Sequence, residues 1–367
     1  MKRLLTGLLS VILLFVLSFG VCATEEMEKE ISDRIFTETD DRILDILEDF
    51  GIDSLDFESI YSVSLKNVLL YFKDSLKGFL KKNIKLFTEI FSVIILAGTV
   101  SLVTEEKKYK NILNILLIPV ITLMLVDEIN LCLSSALSLL KLNGSFMLSF
   151  VPIYAVVIAA AGNPATALTY NTVVLGYAEL ISAVINYGLV DIIGCFFCLS
   201  IGFSVNRNIN FARFISTVNR FVSFILGLVS SVFASVLTVK GIFASSADSV
   251  TAKGIRFTIG SLIPVIGSAI SEAYSTLLGS IGVLKNSVAI IGILAVVLIN
   301  IPVVAELLII NIGLNSLSFI CELYDCTELS DVLKAFACGI KIIGLLVIFE
   351  AFILIITTAI MLTVKGG

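Results

Sequence analysis

The sequence predicts an all-α, polytopic membrane protein with about 8–9 spans, at the ~20 apolar residues a bilayer needs for each. Two observations carry that expectation. Of 367 residues, 57% are hydrophobic and only 15% charged, with a mean hydropathy of +1.05; a soluble domain carries about a quarter charged residues. Apolar stretches of spanning length also recur from residue 86 almost to the end of the chain. Enzymatic function is not expected. The chain has no His, which removes the commonest general base and metal ligand, and no P-loop, Gly-x-Ser-x-Gly or His-Glu-x-x-His motif. No cofactor, metal constellation or nucleic-acid partner is expected.

Residues 1–23 read as a secretory signal: Lys2 and Arg3, an apolar core, then Val21-Cys22-Ala23 before a cleavage point at Thr24. An uncleaved first helix is the alternative. Either way residue 24 onward emerges outside the cytoplasm. Residues 24–60 hold 14 acids against 3 bases, a small acidic extracytoplasmic segment. Ile35, Ile43, Leu44, Leu47 and Phe50 fall near helical spacing, with Gly51 as a stop. This segment is either a helix that docks a partner or a partly disordered spacer.

Residues 61–85 are amphipathic. Leu65, Leu69, Phe72, Leu76 and Phe79 make one apolar stripe, and Lys73, Lys77, Lys81 and Lys85 repeat every four residues on another. That is the pattern of a helix lying on an anionic lipid surface; a partner-binding helix is the other reading. The expected spans are 86–103, 111–140, 146–162, 166–187, 189–203, 221–239, 257–284, 287–313 and 335–363. Starting outside, nine spans leave the C-terminus inside. Lys107, Lys108, Lys110, Arg207, Arg213 and Arg220 then fall in inner loops, in keeping with the excess of basic residues on that side, and the acidic loop 314–334 falls outside. Lys240, Lys253 and Arg256 are exceptions, so 257–284 could instead be re-entrant.

A faint internal repeat divides the body. Phe146-Met-Leu-Ser-Phe-Val-Pro152 resembles Phe257-Thr-Ile-Gly-Ser-Leu-Ile-Pro264 with one residue inserted. The segments are then a first hairpin (86–145), a repeat half (146–239), a loop (240–256) and a second half (257–367). Paired halves suit channels and transporters; chance similarity among apolar segments is the other explanation.

The candidate site is the stretch 253–292. Gly267, Ser271, Ser275 and Gly279 recur every four residues, which stacks small side chains on one helix stripe and lets a second helix come close. Gly260 and Pro264 loosen its start, and Glu272 is an ionisable group within it. The stretch either lines an assembly interface or pore, or packs as an ordinary bundle helix. Glu179, Asp191, Glu306 and Glu350 also fall in or near spans. There an unpaired acid is costly, so each should meet protein, water or a cation; together they read as a polar lining or ion relay, and for any single acid a bond to a neighbouring helix or a place near the head-group boundary is the favoured reading. Cys195-Phe-Phe-Cys198 lies in an apolar span and reads as packing; Cys321 and Cys326 are near enough in sequence to pair.

Lys253-Gly-Ile-Arg-Phe-Thr-Ile-Gly-Ser-Leu-Ile-Pro-Val-Ile-Gly267, Leu284-Lys-Asn286, Val288-Ala-Ile-Ile-Gly292 and the Phe-Val-Pro152 segment together resemble the stage III sporulation protein AE family of endospore-forming bacteria. The resemblance covers nearly the whole chain. It implies a multi-pass subunit in the mother-cell membrane around the forespore, with its N-terminal segment in the intermembrane space. It implies a multiprotein, secretion-like complex with other stage III membrane proteins of the same operon and a forespore-membrane partner, with homo-oligomerisation. That complex is a channel, or feeding tube, that supports late forespore gene expression; this subunit is a candidate for its pore or export core. No catalytic residues come with the family. A secondary transporter with two repeats and an intramembrane carboxylate relay is the alternative.

Overall fold

The computed structural model describes residues 26–52, 63–103, 107–184, 190–205, 211–262 and 267–363. Among them every extended element is helical. Two short helices form the acidic head: α1 (26–38) and α2 (Asp41–Asp49). The body follows as α3 (Leu65–Val103), α4 (Lys107–Ala160), α5 (Pro164–Val184), α6 (Val190–Val205), α7 (Phe211–Leu262), α8 (Gly267–Leu323) and α9 (Thr327–Thr363). The signal 1–23 and Pro264 lie outside the described residues.

Helix ends are set by local chemistry. Three helices stop in the same way. At Gly51, Gly162 and Asp325 the backbone turns left-handed (φ 77°, 88° and 57°). The next residue then donates back five positions: Ile52 N to Leu47 O at 2.9 Å, Asn163 N to Ile158 O at 3.2 Å, Cys326 N to Cys321 O at 2.9 Å. These are Schellman closures, which satisfy the last carbonyls of a helix. Gly51 is the stop expected from sequence. α5 restarts with Pro164 at its first position, where the missing N–H costs nothing. Its next two amides donate to one carboxylate from another helix: Ala165 N and Thr166 N meet Asp248 of α7 at 2.8 and 2.9 Å. Asp248 is only 2% exposed. A buried acid on α7 thus caps α5.

Among the described residues, five helical stretches are long and apolar enough to cross a membrane: 65–100, 116–160, 213–258, 274–323 and 327–362. The expected segments do not map onto them one for one. The stretches 111–140 and 146–162 form the single helix α4, which runs through Pro119 and Pro152. The stretch 287–313 and the described part of 257–284 beyond Gly267 are both α8. Of the two Pro-containing segments of the proposed repeat, Pro152 lies inside α4, and Phe257–Leu262 are the last described residues of α7. With 57 residues, α8 would be about 85 Å long if straight, against about 30 Å of hydrocarbon.

The direction of each helix follows from its contacts. α3 runs parallel to α8, because Phe87 packs on Gly313 and Tyr324 on Gly98. α9 runs antiparallel to α8: Ser318 Oγ and Ser330 Oγ are 3.2 Å apart, and Asn311 Nδ2 donates to Ala337 O at 2.7 Å. α4 is also antiparallel to α8, with Phe150 on Gly292 and Asn143 on Asn300. The connection between α3 and α4 therefore lies at the same end of the bundle as the α8–α9 turn. This corrects the expected orientation, which put Lys107, Lys108 and Lys110 on one side and the acidic 314–334 turn on the other. Seven spans, an odd number, are expected from sequence between the two connections; the helix directions require an even number of crossings there. Both the start of α3 and the end of α9 lie at the opposite, head end.

The acidic head is folded onto the chain itself. Ile31, Ile35, Ile43, Leu47 and Ile52 are buried and join the body's core. α2 packs on α8, and Phe50 meets Tyr71 of α3 edge-on with ring centroids 5.4 Å apart. The apolar face of the head is thus taken by its own chain, which neither the docking-helix nor the spacer reading anticipates.

Candidate functional site

Polar side chains collect on a seam inside the bundle, where α3, α4, α5, α8 and α9 meet. At one level, Lys82 of α3 reaches two acids. Its Nζ lies 3.4 Å from Glu128 Oε1 of α4 and 3.4 Å from Glu306 Oε1 of α8. The acids are largely enclosed, with side chains 14% and 5% exposed, while Lys82 is 48% exposed. Cys132, one helical turn beyond Glu128 on the same face, is fully buried. Its Sγ and the carboxylate oxygens of Glu128 and Glu306 lie within 4.8 Å of one another.

Toward the head end of α4 comes a second level. Asn143 Nδ2 donates to Asn300 Oδ1 at 3.4 Å and to Glu350 Oε2 of α9 at 3.3 Å. Asn300 Nδ2 returns a bond to Asn143 Oδ1 at 3.3 Å and another to Val296 O at 2.7 Å. All three side chains are buried. Glu350 Oε1 and the hydroxyl of Tyr177 on α5 accept or donate no further hydrogen bond among the described residues. No basic side chain among them pairs with Glu350. A reciprocal amide pair joined to a carboxyl fixes three helices in register, because any slip leaves buried polar groups unpaired.

Between this level and the head end, two of the segments quoted for the family resemblance meet. Phe150, from Phe-Val-Pro152, lies over Gly292, from Val288-Ala-Ile-Ile-Gly292. Phe150 is itself stacked between Phe146 and Tyr154, at 5.0 and 5.7 Å. Val288, Ala289 and Ile291 are buried. Gly292 has a packing reason: a side chain there would displace the ring.

The other candidate residues lie elsewhere. Lys73, Lys77, Lys81 and Lys85 are all exposed, as is the start of their apolar stripe, Leu65 and Leu69. Gly279 is exposed, and a methyl group added there would meet nothing within 4 Å. Ser275 is half-buried and Glu272 exposed. The surroundings of Gly260, Gly267 and Ser271 lie outside what is described. The close helix approaches inside the chain use other glycines: Gly98, Gly292, Gly313 and Gly339. Among the intramembrane acids, Glu306 and Glu350 join the seam, and Glu179 and Glu272 do not; the side chain of Asp191 is outside the described residues. Cys321 and Cys326 are both buried and are not joined by a disulfide. The members that sequence reasoning did not bring together are Lys82, Cys132, Asn143 and Asn300. Their signal was a polar residue breaking an apolar stripe, which is visible only once the partner helix is known.

These features define a class: an all-helical protein of several long apolar helices, locked from within by a polar seam. The chain belongs to the family described as Stage III sporulation protein AE, which matches residues 55–365. It is also similar to the Stage III sporulation protein AE of Bacillus subtilis (strain 168), at 22% identity over 174 residues. That alignment covers 47% of this chain and 44% of the relative, so the chain matches less than half the length of that relative. No solved structure matches.

Proposed function

We propose that the chain is a membrane subunit of a sporulation complex linking mother cell and forespore, assembled with other stage III membrane proteins of its operon and with a forespore-membrane partner. It sits in the mother-cell membrane with the head in the intermembrane space, and it supplies part of the complex's pore or export core. Membership of the stage III sporulation family supports the sporulation role. The observation that carries the assembly role is the open Gly279, on the stripe it shares with Ser275. A stripe of small residues invites close packing, and among the described residues nothing packs on Gly279. On this reading its mate is a second copy or a partner subunit. α7 supports the same reading, since Phe221, Phe224, Leu228, Val232, Phe243 and Val250 all point outward. The exposed Lys73, Lys77, Lys81 and Lys85 hold α3 against anionic head groups.

The test is Gly279→Leu. Leu is a better helix former than Gly by somewhat under 1 kcal/mol, and the site is open, so the variant inserts and folds as the wild type does. In sporulating cells it fails to co-purify with the other operon-encoded membrane proteins. Normal co-purification would remove the reason for assigning this stripe to assembly. A second reading, a secondary transporter, draws on the buried Glu306 and Glu350. It requires solute uptake by the protein alone in vesicles, lost in Glu350→Gln.

A further inference from the structure

We infer that Glu128, Cys132 and Glu306 form a site for a borderline divalent transition metal of the zinc class. The argument starts from ligand placement. Glu128 and Cys132 are four residues apart on α4, so their side chains stand one above the other on a single face, and Glu306 closes the site from α8. The three ligand atoms lie within 4.8 Å of one another. A point equidistant from three atoms at that spacing is about 2.8 Å from each, and zinc bonds are about 2.0–2.3 Å. A rotamer adjustment of well under 1 Å per side chain completes the shell and leaves a fourth position open.

Cys132 is the observation that separates this site from an ordinary ion pair. A cluster of two carboxylates and an ammonium has no use for a thiol. Yet Cys132 is fully buried, and its Sγ lies within 4.8 Å of a carboxylate oxygen of each acid. A thiol ligand also selects the metal. Magnesium and calcium take oxygen donors, whereas zinc and its neighbours accept mixed sulfur and carboxylate sets.

Charge points the same way. Two carboxylates share the single ammonium of Lys82, which leaves one negative charge uncompensated. A divalent ion with both carboxylates and a Cys132 thiolate sums to minus one, and Lys82 nearby brings the group to neutrality. On metal binding the thiol proton leaves to solvent and the ammonium gives up its place between the acids. Lys82 can do this because its side chain is 48% exposed. Lys82 is therefore a built-in competitor for the site.

The test uses the full-length protein in detergent, stripped with a chelator and titrated with Co²⁺ as the probe. The expected result is one equivalent per chain with a thiolate-to-cobalt charge-transfer band in the near ultraviolet, bleached by Zn²⁺. Cys132→Ser removes the band. It persists in a variant with Cys195, Cys198, Cys321, Cys326 and Cys338 changed to Ser. Glu306→Gln weakens binding by roughly 100-fold or more, at or beyond the upper end of second-shell effects. Lys82→Met tightens binding by about 10-fold, and this outcome separates a metal site from a salt bridge, which the same change would simply break. No band, a band that survives Cys132→Ser, or weaker binding in Lys82→Met would each overturn the assignment. Melting curves of Cys132→Ser without metal, matching the wild type, show that the loss is not one of folding.

Discussion

Gly292→Ala adds one methyl group where the chain has no room for it. A Cβ on Gly292 would stand 2.7 and 2.9 Å from Cε1 and Cε2 of Phe150, with Cζ closer still. Contacts below 3 Å cannot be kept, so either the ring or the helix axis must move. The ring has nowhere to go: it is 2% exposed and stacked between Phe146 and Tyr154. Forcing a methyl into such a core costs about 1–3 kcal/mol. For a large domain that is about 2–6 °C of melting temperature, at the low end of the usual slope. Phe150→Leu alone removes ring volume and costs a similar amount as a cavity. The two changes together should cost less than their sum, because the methyl fills space the ring has left. A favourable coupling of about 1 kcal/mol or more is expected for residues in contact. The assay is thermal unfolding in detergent of wild type, both single variants and the double variant. Additive shifts, or a Gly292→Ala protein that melts with the wild type, would refute the claim that these two segments are pressed together.

Three further outcomes follow from the fold. Asp248→Ala leaves the first amides of α5 without their acceptor and lowers stability by about 1–3 kcal/mol, read as earlier thermal unfolding, while Asp248→Asn, which keeps one acceptor oxygen, loses less. Asp40 caps α2 and is held below the usual carboxylate range by its hydrogen bond and ion pair with Arg42; its contribution is therefore full above the unfolded-state pKa and is lost as pH falls through the lowered one. The pair is largely exposed, so the effect is about 0.2–1 kcal/mol, visible as reduced amide protection in α2 in acid and smaller in Arg42→Ala, which keeps only the backbone cap bond. Finally, cysteines placed at Lys107 and Asp325 should react with an impermeant thiol reagent from the same side of the membrane; labelling from opposite sides would contradict the parallel course of α3 and α8.

Much of the fold was legible because it rests on local signals. The apolar content and helical periodicity dictate helices, and Gly51 stops α2 where a left-handed residue is needed. The lysine stripe at 73–85 is exposed as its spacing requires. Span boundaries were not legible, for a physical reason. The polar breaks at Lys141 and Asn143, or at Lys285 and Asn286, read as loops when helices are assumed to face lipid. In the folded chain Asn143 and Lys285 are buried inside continuous helices, and Asn143 has partners on α8 and α9. The seam was hidden for the same reason: Glu128 and Glu306 are far apart in sequence, and nothing local in either announces the other. The asymmetry extends to glycine. The spacing rule singled out Gly279, which is open, whereas among the described residues Gly98, Gly292, Gly313 and Gly339 let helices touch, with large rings as partners rather than other small residues.

The central claim is that the open stripe on α8 belongs to another protein chain. The direct measurement is a photocrosslinking amino acid placed at position 279 and activated in sporulating cells, followed by identification of the adducts. The account predicts a crosslink to a second copy or to another operon-encoded membrane protein. Adducts formed with lipid alone would contradict it.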